Sequence, residues 1–135
     1  MKCFIDTNIL IDILSGRDGS ASSKRLFALA FLQKVELSMS ALSLVNAIYI
    51  CKRLKLDIDQ TKEKLMSISS FVNIQDLSGQ TAIDCLHCQW KDYEDATQHL
   101  TALASDCDYI VTHNLKDFTL SQIPVLSPDA VISLI

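Results

Sequence analysis

Short apolar runs of strand length alternate with helix-length segments along this chain. Lys2 to Ile5, Val35 to Met39, Phe71 to Ile74, Asp108 to Thr112 and Val125-Leu126 read as strands. Between them, Asn8 to Leu14, Ser22 to Gln33, Ala41 to Lys55, Asp57 to Ser69, Thr81 to His87 and Tyr93 to about Ser105 read as helices, and Ser127-Pro128 opens a last one. Such alternation predicts an α/β fold with a parallel sheet covered on both faces, because parallel strands are joined by crossover helices.

The boundaries carry their own signals. Ser15-Gly16-Arg17-Asp18-Gly19-Ser20 is a loop by its turn residues. Thr7 or its neighbour, Ser40 and Ser78 stand where N-caps are needed, and Pro128 takes a first helical position. The third helix carries apolar residues on nearly every side, which predicts that it is buried. In the Tyr93–Ser105 helix, Ala96, Leu100, Leu103 and Ala104 share one face, and Asp92, Asp95, Gln98 and His99 share another. Asn114 to Ser121 is read as a loop. With 135 residues, 49% apolar composition, 3 Gly, 2 Pro and no repeats or linker, residues 1–135 are expected to form one domain.

The formal net charge is −4, so a polyanionic partner must be met locally or through a metal. Polar residues break every apolar stretch well short of a membrane span. Asp6 and Asp12 interrupt what would be the apolar core of a signal peptide. A cytoplasmic protein is expected, with its odd count of 5 Cys reduced and mostly buried.

Acidic residues stand at element boundaries. Asp6 follows the first strand, Asp95 begins a helix, and Asp117 follows the strand Tyr109-Ile110-Val111. In open α/β sheets ligands bind beyond the carboxyl ends of the strands, and these carboxylates can converge there. Grouped carboxylates raise one another's pKa unless something compensates. A hard divalent cation, Mg²⁺ or Mn²⁺, does so with oxygen ligands. A single Asp at such a boundary serves equally well as a cap or turn residue.

Four segments carry a resemblance. Asp6-Thr7-Asn8-Ile9-Leu10-Ile11-Asp12 resembles the opening of PIN-domain proteins. The stretch from Asp92 to Gln98 resembles their central acidic motif, and that from Asp108 to Phe118 their closing motif. Ile123-Pro124-Val125-Leu126-Ser127-Pro128 is similar to the tail of the small bacterial VapC-like ribonucleases. The resemblance implies a three-layer α/β/α domain and a metal-dependent endoribonuclease acting on single-stranded RNA, often the toxin of a toxin–antitoxin pair. It implies that Asp6, Asp95 and Asp117 bind Mg²⁺ or Mn²⁺. Thr7, Asn8 and Asn114 would be supporting polar groups of the pocket.

Two positions depart from the family pattern. Asn46 stands where the third helix usually supplies Glu, and His113 stands where Arg is frequent. An amide can position a metal or a water but brings no charge and cannot act as a base. The alternative function is therefore a catalytically silent module that binds RNA or a protein partner.

Other residues have plainer expectations. Asp12 is read as a helix-end carboxylate, and Asp92 and Glu94 as residues favouring a helix N-terminus. Cys85-Leu86-His87-Cys88 lacks the second pair a zinc site needs and is read as cysteines one helical turn apart. Lys52-Arg53-Leu54-Lys55 and Lys62-Glu63-Lys64 are read as solvated helix surface. The acidic surface suits a basic antitoxin segment, and the helices at 22–33 and 57–69 suit a homodimer.

Overall fold

A computed structural model describes every residue from Met1 to Ile135. Five strands, β1 (Lys2–Ile5), β2 (Glu36–Ser40), β3 (Val72–Gln75), β4 (Tyr109–Val111) and β5 (Val125–Leu126), pair in the order β3-β2-β1-β4-β5. Every pair is parallel. The helices are α1 (Thr7–Ser15), α2 (Ala21–Phe31), α3 (Ala41–Arg53), α4 (Ile58–Ile68), α5 (Gly79–Cys85), α6 (Tyr93–Ala104) and α7 (Pro128–Ile132). The α/β alternation expected from sequence is therefore observed.

Strand β1 shows why both faces need cover. Side chains alternate across a strand, so Cys3 and Ile5 enter one core and Phe4 the other. The larger core draws Ile9, Leu10 and Leu14 from α1, Leu26 and Phe27 from α2, Ala47 from α3 and Leu65 from α4. The smaller one joins Phe4 and Ile110 to Ala102 of α6 and to Cys107, Phe118 and Ile123. Helices thus lie on both faces of the sheet, giving three layers.

The local signals act as their chemistry suggests. Ser40 ends β2 and caps α3, accepting from the Leu42 N–H at 3.1 Å, and Ser78 and Ser127 cap α5 and α7 in the same way. Gly16 ends α1 at φ 62°, in the left-handed region that a residue without Cβ adopts without strain.

Three local expectations are revised. Helix α3 is not enclosed: Val45 and Tyr49 are 66% and 62% exposed, and only Ser43, Ala47 and Cys51 are fully buried. It packs chiefly on α1 and α4, so its opposite side has no neighbour, whatever its composition. Helix α6 turns its polar side inward, burying Thr97, Gln98, His99 and Thr101, while Ala104 is exposed. Each buried polar group there has a partner. The Thr97 and Thr101 hydroxyls donate to carbonyls of the preceding turn at 2.7 Å, and His99 Nε2 accepts from the Gln122 N–H at 3.0 Å. Finally, the expected loop Asn114–Ser121 contains a 3-10 turn, Leu115–Phe118.

Candidate active site

The strand order reverses between β1 and β4, and the crevice at such a reversal is the usual ligand site of an open α/β sheet. Asp6 lies there, immediately after β1. Its N–H donates to the Val111 carbonyl at 2.9 Å, and its own carbonyl accepts from the Ile9 N–H at 2.9 Å. The residue is thus tied to the sheet on one side and to the start of α1 on the other.

The Asp6 carboxylate is only 4% exposed. Thr112, just past β4, donates its hydroxyl to Oδ2 at 2.8 Å, and the Gln98 amide of α6 donates to Oδ1 at 3.2 Å. Gln98 Oε1 in turn accepts from the Thr7 N–H at 3.2 Å. Burial raises the Asp6 pKa above the ordinary carboxylate value, against the hydrogen bonds from Thr112, Gln98 and the helix backbone.

Around Asp6 opens a cavity of about 230 Å³, lined by Asp6, Thr7, Asn8, Ile50, Asp92, Glu94, Asp95, Asn114 and Asp117. Asp95 stands in the first turn of α6, which Asp92 caps by accepting its N–H at 2.9 Å. Asp117 comes from the 3-10 turn, placed by its N–H to the Asn114 carbonyl at 3.0 Å. Burial, followed by the charges of Asp92, Asp6, Asp117 and Glu94, pushes the Asp95 pKa up to about 7. Five carboxylates and no cationic side chain line this cavity, which is the electrostatic signature of a cation site.

The donor set is all oxygen, as a hard divalent cation requires. No three of the acidic, His or Cys side chains stand close enough to ligate one ion together. The residues therefore fit an ion that takes one or two carboxylates directly and keeps several waters, as Mg²⁺ does.

Of the positions singled out from sequence, Asp6, Asp95, Asp117, Thr7, Asn8 and Asn114 all line this cavity. Asn46 does not line it and makes no side-chain hydrogen bond. It is half-buried and sits on α3 between Ser43, whose hydroxyl meets that of Thr7 at 2.8 Å, and Ile50, which lines the cavity. Residues three and four apart share a helix face, so Asn46 stands at the cavity's edge. Thr7 donates to Glu94 at 3.3 Å. A carboxylate only accepts, so Ser43 is the donor to Thr7.

Asp12 is more than a carboxylate near a helix end. It is buried, and it binds Arg17 Nε, the Ser23 hydroxyl and His113 Nε2, each at 2.6 Å. Burial works to raise its pKa, but the hydrogen bonds from Ser23, Arg17 and His113 and the Arg17 charge outweigh it and hold the group low. This network fixes His113, the residue before Asn114, so His113 points away from the role of a free phosphate contact. The two basic clusters on α3 and α4 lie outside the cavity lining. All five thiols are free, with Cys85 buried at the end of α5 and Cys88 half-buried beyond it.

Gln98 and Thr112 were not singled out from sequence. Gln98 lies three residues after Asp95 and so on the same helix face, which is the only trace a sequence carries of it. Replacing Gln98 by Leu strips Asp6 of one donor and leaves the Thr7 N–H unpaired. Unfolding in urea is expected to show a loss of about 1–3 kcal/mol. Unchanged stability would mean that the amide does not hold Asp6.

The PIN-domain family model matches residues 2–116, from β1 to one residue short of Asp117. The chain belongs to the PIN-domain family. No curated protein matches it in sequence. In structure it is similar to VapBC2 from Rickettsia felis bound to a DNA fragment from its promoter (TM-score 0.68, 20% identity, 94% of this chain and 98% of that one). It is also similar to a toxin–antitoxin complex from Klebsiella pneumoniae (TM-score 0.65, 26% identity, 93% and 97%). A third likeness is to VapC20 of Mycobacterium tuberculosis, a toxin that cleaves the sarcin–ricin loop (TM-score 0.65, 14% identity, 80% and 86%). The three-layer arrangement of this PIN domain is thus the arrangement of VapC-type chains.

Proposed function

We propose that this PIN-domain chain is a divalent-metal-dependent endoribonuclease of single-stranded RNA and the toxin of a toxin–antitoxin pair. The observation that carries the reading is the convergence of Asp6, Asp92, Glu94, Asp95 and Asp117 on one cavity at the switch point of the sheet, with Asp95 raised to about 7. Family membership and the VapC-type neighbours support it.

Of Asp6, Asp95 and Asp117, one or two would bind Mg²⁺ or Mn²⁺ directly and the rest would reach it through the ion's waters. When bound, such a cation makes water acidic enough to attack a phosphodiester and stabilises the charge that develops on phosphate. Gln98 and Thr112 hold the Asp6 carboxylate in place at the cavity and partly offset the effect of its burial. Thr7, Asn8 and Asn114 offer polar groups to the substrate backbone. Asn46, at the edge, would orient water and does not take its proton.

An antitoxin is the expected protein partner, with a basic segment that matches the acidic cavity. Exposed Phe31 and Leu32 at the end of α2 and Met66 on α4 suit the homodimer. No helix is long and apolar enough to cross a membrane, and the free thiols suit the reducing cytoplasm.

The second reading, a silent module that binds RNA or a partner without cutting, rests on Asn46, which brings no charge and makes no hydrogen bond. Calorimetric titration with Mn²⁺ separates the two, with cleavage of single-stranded RNA measured beside it. The wild type is expected to bind Mn²⁺ and to cut RNA only when the metal is present. Asn46→Glu is expected to bind Mn²⁺ at least about tenfold more tightly, because it adds a carboxylate at the cavity's edge. No heat and no cutting by the wild type, with strong binding by the variant, would establish the silent module.

A further inference from the structure

A second cavity, of about 550 Å³, adjoins the first and shares Asp92, Asp95 and Asp117 with it. Its remaining lining has a different chemistry. Lys91 and Lys116 are the only cationic side chains that line either cavity. Each directly precedes one of the shared carboxylates, Asp92 and Asp117. Neither forms an ion pair: the chain's salt bridges are Asp12 with Arg17 and Asp12 with His113. Two unpaired ammonium groups beside the three shared carboxylates leave their charge available to something else.

The same cavity has an apolar side, formed by half-buried Trp90 and by Leu120, which is mostly exposed. Trp90 is held rigidly. Its ring stacks on His99 at 4.8 Å between centroids and meets Phe118 edge-on at 5.6 Å. Burial lowers the His99 pKa, so the support beneath the indole is a neutral ring. The cavity therefore combines mobile positive charge with a fixed aromatic surface, and both border the carboxylates. Phosphate is bound by Lys as a point charge, and aromatic side chains accept any base in single-stranded nucleic acid.

We infer that the cavity of Trp90, Lys91, Lys116 and Leu120 is a nucleotide subsite, taking the nucleotide that neighbours the bond at the acidic centre. Lys91 and Lys116 hold its phosphate, and its base lies against Trp90 and Leu120. The inference rests on the ribonuclease reading for the identity of the substrate, and it supplies the phosphate contacts that a net charge of −4 leaves unexplained. The apolar wall accepts any base, so this subsite gives affinity and register in place of sequence choice.

Trp90 is the only tryptophan, so its fluorescence reports on this cavity alone. The test titrates the full chain, with Mg²⁺, with a short single-stranded RNA whose phosphorothioate linkages resist cleavage. Saturable quenching is expected for the wild type. The double variant Lys91→Ala/Lys116→Ala, altered at two exposed positions, is expected to bind at least about tenfold more weakly. The slope of log affinity against log salt should shrink by roughly 1.4, about 0.7 per lost phosphate contact. Absence of quenching in the wild type, or equal affinity and salt slope in the variant, overturns the subsite. Cleavage of unmodified RNA is read separately. Lysine-dependent quenching without any cleavage would sustain the subsite and sink the ribonuclease reading. Cleavage with lysine-independent binding would do the reverse.

Discussion

Replacing Asp6 by Asn is expected to lower cleavage of single-stranded RNA by at least about a hundredfold, with the fold intact. The carboxylate contributes charge at the centre of the acidic cavity, and a cation that activates water is worth several kcal/mol to the transition state. Geometry makes the neutral variant worse than a simple loss of charge. Gln98 and Thr112 both donate to Asp6, one to each oxygen, and an amide has only one acceptor oxygen. Thr112 also accepts from the Asn114 N–H at 3.0 Å, and its second lone pair can accept from the amide NH₂ only if the hydroxyl gives up donating to residue 6. The variant therefore loses one of the two hydrogen bonds that position the carboxylate. Stability should change by no more than about 1 kcal/mol, because the lost hydrogen bond is offset by removing a buried charge. Full activity in purified Asp6→Asn, with a matched circular dichroism spectrum, would remove Asp6 from the reaction.

Raising the pH is expected to weaken the metal-free protein through Asp95. Its folded pKa of about 7 lies above the ordinary 3.8, so the folded state binds this proton more tightly than the unfolded state. The resulting stabilisation is complete below about pH 4 and is lost as the pH rises through about 7. Asp6 is shifted in the same direction. His99 works oppositely: its pKa is lowered by burial from 6.5, so its contribution is present above that value and lost as the pH falls. A comparison with Asp95→Asn isolates the carboxylate from the imidazole. Solvent screens a half-exposed group, so the variant's advantage at about pH 8 should be only about 1–2 kcal/mol, or roughly 4–8 °C in Tm, and should vanish near pH 4. Mg²⁺ or Mn²⁺ should raise the wild-type Tm at pH 8 and leave that of Asp95→Asn nearly unmoved. A gap between the two proteins that does not vary with pH would show that the carboxylates do not strain this cavity.

These two residues also show how far the chain could be read before its structure. Asp6 was legible because it ends an apolar run of strand length, Asp95 because it opens a helix, and Asp117 because it follows a strand. Parallel topology then forces strand-end residues to one edge of the sheet. Gln98 was not legible as the group holding Asp6, since the same polar face would serve a solvent-facing helix equally well. Which side of α6 is buried depends on what the sheet presents to it. Here that is a carboxylate and a helix N-terminus, which the Gln98 amide satisfies and a leucine could not. Helix α3 fails in the opposite sense, since its apolar residues outnumber the neighbours available to cover them.

The amino-acid sequence by itself determined the alternation of elements, the caps at Ser40, Ser78 and Ser127, and the presence of three acidic boundary residues of a PIN domain. Each is a local property, set by periodicity, backbone hydrogen-bonding capacity or short motif. Only the tertiary structure decided that Asp12 is a buried hub for Arg17, Ser23 and His113, and that Asn46 stands at the edge of the cavity. It alone brought Lys116 and Asp117 to the same cavity as Trp90, Lys91 and Asp92. Those outcomes depend on contacts between residues up to about a hundred positions apart (His113 lies 101 residues from Asp12). Such distances are settled by how sheet and helices pack, which no local pattern encodes.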